Sequence, residues 1–172
     1  LAEQGNLREP DVLATQIQRM LADPRSSRFS QNFVHQWLGL DGMDSITHVT
    51  DDSLRAAMQQ EPIAFFHEVL RNNDSAMDFI HSNYAVVNER LAAHYRIPDV
   101  RGPHFRKVPS GTQTMRGGLL TGAAILTMSS DGTDSHPLKR GVWMLERFLH
   151  DPPPPPTPNV PEVDLTDPEI LK

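Results

Sequence analysis

Apolar positions in "REPDVLATQIQRMLADP" fall at Val12, Leu13, Ile17, Met20 and Leu21, the spacing of one helix face. Pro10 suits the first turn of that helix and Pro24 stops it. The next stretch, "DPRSSRFSQNFVHQWLGLDG", repeats the pattern with Phe29, Phe33, Val34, Trp37 and Leu38, and Gly39 and Gly42 end it. Two amphipathic helices joined by a few residues predict an antiparallel hairpin. In "TDDSLRAAMQQEPIAFFHEVLRNND" a third helix is capped by Asp51, Asp52 or Ser53 and buries Leu54, Met58, Phe65, Phe66, Val69 and Leu70. Pro62 lies inside it. Its ring removes a backbone donor and meets the carbonyl of Met58, so a kink or split near Gln60 is predicted.

Beyond this the pattern shortens. "SAMDFIHS" and "NERLAAHYRI" predict a small helical pair joined at Asn83-Tyr84 and closed by Pro98. "PDVRGPHFRKVPSGTQT" holds three prolines and two glycines without a helical period; it reads as an irregular connector with one short strand at Phe105–Val108. "RGGLLTGAAILTMSS" then offers Leu119, Leu120, Ala123, Ala124 and Leu126 to a buried, closely packed helix. A last helix opens at Pro137 with a face of Leu138, Val142, Leu145 and Leu149. Five consecutive prolines follow, Pro152 to Pro156, for which polyproline II geometry and then a tail of little structure are expected. The fold class is therefore mainly α: an irregular helical bundle in two packed parts with a C-terminal polyproline segment.

At 172 residues the chain can bury a core without a metal or disulfide staple. Asp and Glu (22) outnumber Lys and Arg (16), for a net charge of -6, and no basic patch suited to nucleic acid stands out. The Arg-Gly-Gly at 116–118 is too short to change that. No apolar run approaches the ~18 residues of a membrane span. There is no cysteine, which excludes disulfides, cysteine-ligated zinc and covalently attached haem within this chain. The chain starts at Leu1 in the middle of a helical-looking pattern and reads as a piece of something longer, so the lack of a leader carries no meaning.

Candidate chemistry is sparse. None of the eight histidines pairs with another at the i,i+3 or i,i+4 spacing of a helical metal site. "FFHEV" begins like a zinc-protease motif, but Arg71 stands where the second histidine belongs, and His67 is expected on the solvent side of its helix. "SSDGTDSHP" is more informative. Asp131 and Asp134 with three hydroxyls around Gly132 could hold a cation or an anion, and a turn that caps the next helix is the favoured reading. His136, held extended by Pro137, is either bonded to that turn or presented to a cofactor or partner. The proline run would span roughly 16 Å at about 3.1 Å per residue. It is read as a strap or spacer, with Trp143 and Phe148 as the aromatic surface for Pro152, Pro153, Pro154, Pro155 and Pro156. The strap is favoured because Val160 and Leu165 beyond it are apolar.

"NFVHQWLGLDGMD", "NYAVVNERLAAHYRI" and the long block from "RGGLLTGAAILTMSS" through "PPPPPTPNVPEVDL" resemble the paired planctomycete domains of unknown function that accompany c-type cytochrome modules. The resemblance covers nearly the whole chain, and implies an N-terminal helical domain over 1–97, a second with its connector over 98–151 and a proline-rich tail over 152–172. It implies an exported or periplasmic setting in a multidomain polypeptide, with haem c in a neighbouring segment beyond the prolines and with the other domains of that polypeptide as partners. His136 would be the one haem-facing ligand this chain could lend. The leading expectation is an accessory, non-catalytic domain serving electron transfer or oxidation. The alternatives are an envelope interaction scaffold without redox role and, more weakly, a hydrolase using Asp131, Asp134 and His136.

Overall fold

The fold is taken from a computed structural model, which describes residues 3–110 and 116–155. After a single 3-10 turn, helices α1 (Pro10–Ala22) and α2 (Ser26–Leu38) form where the pattern predicted two helices, joined by three residues, and α1 buries none of its side chains. A 3-10 segment over Leu40–Ser45 leads to α3 (Asp52–Asn72), the longest element. Its cap is Asp51, whose carboxylate accepts from the Leu54 amide at 2.9 Å and pairs with Arg90. Of the kink or split predicted near Gln60, the split does not occur: α3 runs 21 residues without interruption, and Pro62 is buried in its middle. A proline missing one ladder bond is tolerated where packing holds both flanks, and Met58, Ile63, Phe65 and Phe66 are all buried around it.

The small helical pair requires correction. "SAMDFIHS" makes only one 3-10 turn, Ala76–Phe79, and the expected joint at Asn83-Tyr84 opens a strand, β1 (Tyr84–Val87). Helix α4 (Glu89–Tyr95) follows, capped by Asn88, which accepts from the Leu91 amide. Strand β2 (Arg106–Pro109) pairs antiparallel with β1, Tyr84 opposite Pro109 and Val87 opposite Arg106. All four β1 residues are buried. The strand therefore reads as a short apolar run with no alternation, which periodicity alone cannot tell from helix.

In the second half, a 3-10 turn at Leu119–Thr121 leads to α5 (Ala123–Met128), then α6 (Pro137–Met144) continues into a π-helical turn, Leu145–Leu149. One hydrophobic core crosses position 97. Leu119, Ala123, Ala124 and Ile125 join Val34, Leu38, Phe65, Leu91 and Tyr95 in it.

Two predicted faces are left largely uncovered. The α1 face is largely open, with Leu13, Ile17 and Met20 exposed, and Phe29 and Phe33 of α2 are exposed beside their buried neighbours Ser30 and Val34. On α6, Leu138 is 86% exposed, and Val142 and Leu149 are also exposed, so the predicted face points to solvent. The side that packs carries Trp143 and Phe148. Two aromatic rings bury more apolar surface than two aliphatic side chains, and they decide which way a short helix turns. Pro152–Pro155 are exposed. Pro156 and the tail with Val160 and Leu165 lie outside the described residues, as do residues 111–115.

Candidate functional site

The most unusual chemistry lies where the two halves meet. Glu61, in the middle of α3, is buried, and both its carboxyl oxygens lie 2.7 Å from the Tyr95 hydroxyl. The amide of Ala123, first residue of α5, donates to Glu61 Oε2 at 2.8 Å and to the Tyr95 oxygen at 2.7 Å. One side chain from α3, one from α4 and one amide from α5 thus satisfy each other with no water between them. Burial pushes the Glu61 carboxyl up to about 7, against the lowering influence of Tyr95, Ala123 and Arg116. The same burial, with Glu61 beside it, holds the Tyr95 hydroxyl far above its ordinary value. The guanidinium of Arg116 lies 3.7 Å from the centre of the Tyr95 ring and donates to Thr121 O at 2.7 Å.

Beside this cluster the backbone at Gly117 comes so close to residues 80–82 that a Cβ there would sit 1.8 Å from Ser82 O. Ser82 Oγ also accepts from the Gly118 amide at 3.0 Å and donates to Tyr84 O. A cavity of about 10 Å³, room for one water, is enclosed by Glu61, Phe65, Tyr84, Gly117 and neighbouring residues. It is too small for a substrate.

A second join binds α6 to α2. The Trp37 indole donates to Arg147 O at 2.6 Å, and the Trp143 indole donates to Leu38 O at 3.1 Å. Carbonyls in the last turn of a helix have no partner within the helix. Here each helix end is satisfied by a tryptophan of the other. Phe148 completes the contact, its ring 5.1 Å from that of Trp37 and 5.5 Å from that of Trp143. Trp143→Phe keeps most of the ring contact and loses one hydrogen bond, so a loss of about 1 kcal/mol is expected in denaturant melts. The double variant with Trp37→Phe should lose less than the sum of the two single changes if the bonds hold one joint.

His136 precedes α6 on the polar turn, half-buried, with Nε2 3.0 Å from Asp131 Oδ2. The other Asp131 oxygen accepts from the amides of Thr133 (2.9 Å) and Asp134 (2.7 Å). Those amides, chiefly, and the His136 ring hold the Asp131 carboxyl down at about 2. Asp131 and His136 therefore meet, as a hydrolase would need, but on an exposed turn that their hydrogen bonds close.

His67 is not on the solvent side. Its Nδ1 lies 3.0 Å from the hydroxyl of Ser30, which has no exposed surface, and the ring lines a groove with Gln60, Glu68 and Phe105. A serine without exposed surface offers no nucleophile to a substrate, so the pair ties α2 to α3. Among the described residues no group of three or more His, Cys, Asp or Glu side chains is placed to hold a metal ion. No described helix is long and apolar enough to cross a membrane.

Neither Glu61 nor Gly117 was singled out by sequence reasoning. Glu61 stands directly before Pro62, between Met58 and Phe65 on the inward side of α3. A lone carboxylate in that setting was the available signal.

Residues 1–97 match the family model PSD4, a protein of unknown function (DUF1592). The chain belongs to the DUF1592 family. Residues 116–171 match PSCyt3, a protein of unknown function (DUF1588), whose name points to cytochrome association. The two matches agree with the resemblance to paired planctomycete domains that accompany cytochromes. No curated protein and no solved structure matches the chain. The Glu61–Tyr95 pair thus belongs to the DUF1592 match, and the Ala123 amide that it holds belongs to the DUF1588 match.

Proposed function

We propose that this DUF1592 chain is a non-catalytic accessory unit of an exported, haem-associated multidomain protein serving electron transfer or oxidation. It supplies a rigid body beside a haem c segment and carries no haem itself. The observation that supports this most is the buried joint of Glu61, Tyr95 and Ala123, which makes one core of a DUF1592 match and a match whose name refers to a cytochrome. In this reading 1–97 and 98–151 are the two helical parts, and 152–172 is the proline-rich tail. The deciding experiment is a covalent-haem assay on the parent polypeptide, isolated from the cell envelope. Haem c in the same polypeptide is expected, and a parent without it would remove the redox role.

Haem fits this chain only in a limited way. With no cysteine, covalent attachment is excluded. His136 Nε2 is taken up by Asp131, which leaves Nδ1 as the nitrogen able to face an iron, and a carboxylate behind a ligating imidazole is a common arrangement. If His136 serves the neighbouring haem, His136→Ala in the parent protein changes the haem absorption spectrum, while the melt of this body falls by only a few degrees. An unchanged spectrum would leave His136 as a turn residue.

The exposed Pro152–Pro155, and the engagement of Trp143 and Phe148 with α2, favour a spacer over a strap. Truncation after Asp151 should then leave the denaturant melt unchanged. A loss of about 1–3 kcal/mol, the scale of an uncovered aromatic, would restore the strap.

The scaffold reading has one observation of its own. The open apolar side of α1, with Leu13, Ile17 and Met20, is the kind of surface that a neighbouring domain covers. A parent protein that lacks haem but protects α1 from proteolysis would favour it.

A further inference from the structure

On the outer side of the Glu61–Tyr95 joint lies an open groove of about 220 Å³. His48, from the loop before α3, and His94, on α4, line it together with Arg116, Thr127 and Ser130. The chain as a whole is acidic at -6, yet among the described residues this groove has no carboxylate in its lining. Glu61 lies behind it, and burial leaves that carboxyl largely protonated below about pH 7. Asp131, between the lining residues Ser130 and Gly132, bonds its carboxylate to the amides of Thr133 and Asp134 and to the His136 ring. The side chains that line the groove are thus neutral or cationic, in a chain that is acidic as a whole.

The groove is also assembled with some constraint. Arg116 is held in place by the Tyr95 ring beneath it and by Thr121 O, so its guanidinium need not be ordered by a ligand. The turn on the far wall approaches His48 at Gly132, whose φ is +95° and where a Cβ would lie 2.7 Å from the His48 side chain. Only glycine lets that turn close on the histidine. Partial burial, and then the charges of Arg116 and Arg90, hold the His94 imidazole below its ordinary value, as expected of a ring in a positive field. Arg90 has its own partner in Asp51.

We propose that this groove binds a small oxyanion, a carboxylate or phosphate group, held by Arg116 with His48 and His94. A guanidinium presents a planar fork of donors that matches either anion, and imidazoles supply further donors at the rim. Thr127 and Ser130 line the groove too, but their hydroxyls are engaged, Ser130 Oγ donating to Asp134 O and Thr127 Oγ1 to Met58 Sδ. The donors left for an anion are Arg116, His48 and His94.

The test is a titration of the full chain, with the imidazole resonances of His48 and His94 followed by NMR. Inorganic phosphate and acetate are the probes, and chloride at matched ionic strength is the reference. Saturable shifts of both rings are expected with at least one probe, together with a rise in the pH midpoint of His94. Saturation by phosphate alone identifies a phosphate site, and saturation by acetate alone identifies a carboxylate site. Arg116→Met should weaken binding by about tenfold or more, the scale of removing one partner of a charged pair. Because Arg116 also covers Tyr95, His48→Gln at the rim is the second variant, and it should weaken binding without changing the melt. Absence of saturation with both probes, or equal affinity in wild type and His48→Gln, overturns the proposal.

Discussion

Gly117→Ala should destabilise the chain by about 3 kcal/mol or more, at the upper end of what overpacking costs. The added methyl would sit 1.8 Å from the carbonyl oxygen of Ser82, and the next contacts are backbone atoms of the same residue. Backbone cannot rotate aside as a long side chain can. Either the 80–82 loop or the segment leading to α5 must move, and each move breaks something further. Displacing the loop threatens the Ser82 hydroxyl's bonds to the Gly118 amide and to Tyr84 O. Displacing the segment pulls Ala123 away from Glu61 and Tyr95. Denaturant melts of wild type and variant check this, with Gly141→Ala as the control, since nothing lies within 4 Å of a Cβ at that position. Equal losses in both variants would show that the approach at Gly117 is not tight.

Glu61→Gln should remove a pH dependence that the wild type has. The folded-state carboxyl titrates near 7, above its ordinary 4.5. Its contribution is therefore complete below about 4.5 and is lost as the pH rises through about 7. Across that window the difference is about 3 kcal/mol, at about 1.4 kcal/mol per tenfold change in proton affinity. Glutamine carries no proton to lose, so the stability of wild type minus variant should fall as pH rises from about 5 to about 8. The histidines act in the opposite sense. His67 and His94, both held below their ordinary value, weaken the fold as pH drops below it. Both are present in wild type and variant, so they cancel in the difference. A difference that does not change with pH would mean that Glu61 is ionised throughout, and the joint would then be a salt-bridged one centred on Arg116.

The helices were legible because their apolar residues repeat at helical spacing and their ends carry Pro10, Asp51, Asn88 and Pro137. Which face of a helix is covered was less legible. Leu138, Val142 and Leu149 form a good stripe, but Trp143 and Phe148 on the other side had a better partner in the end of α2. A stripe predicts that burial is available, and only the partner decides whether it is used. For His136 the sequence offered two readings, a ring bonded to the Asp131–Asp134 turn or one presented to a partner. The first could be named because those contacts are local; Nε2 lies 3.0 Å from Asp131 Oδ2. The Glu61 joint could not be read that way. Its members stand at 61, 95 and 123, and each taken alone looks like an ordinary helix residue.

The crossed tryptophans at α2 and α6 also fix where a load would fall. Tension arriving through Pro152–Pro155 enters the body at the π-helical turn, whose carbonyl at Arg147 is held by Trp37 and whose Phe148 is wedged between two indoles. From there it passes to α2 through Leu38, and only afterwards to the shared core. If the prolines act as a spacer, that spacer is anchored in the first half of the sequence, although it emerges from the second. On that reading, a pull through the prolines would load the end of α2 before it strained the Glu61 joint, and the buried carboxyl would be mechanically sheltered.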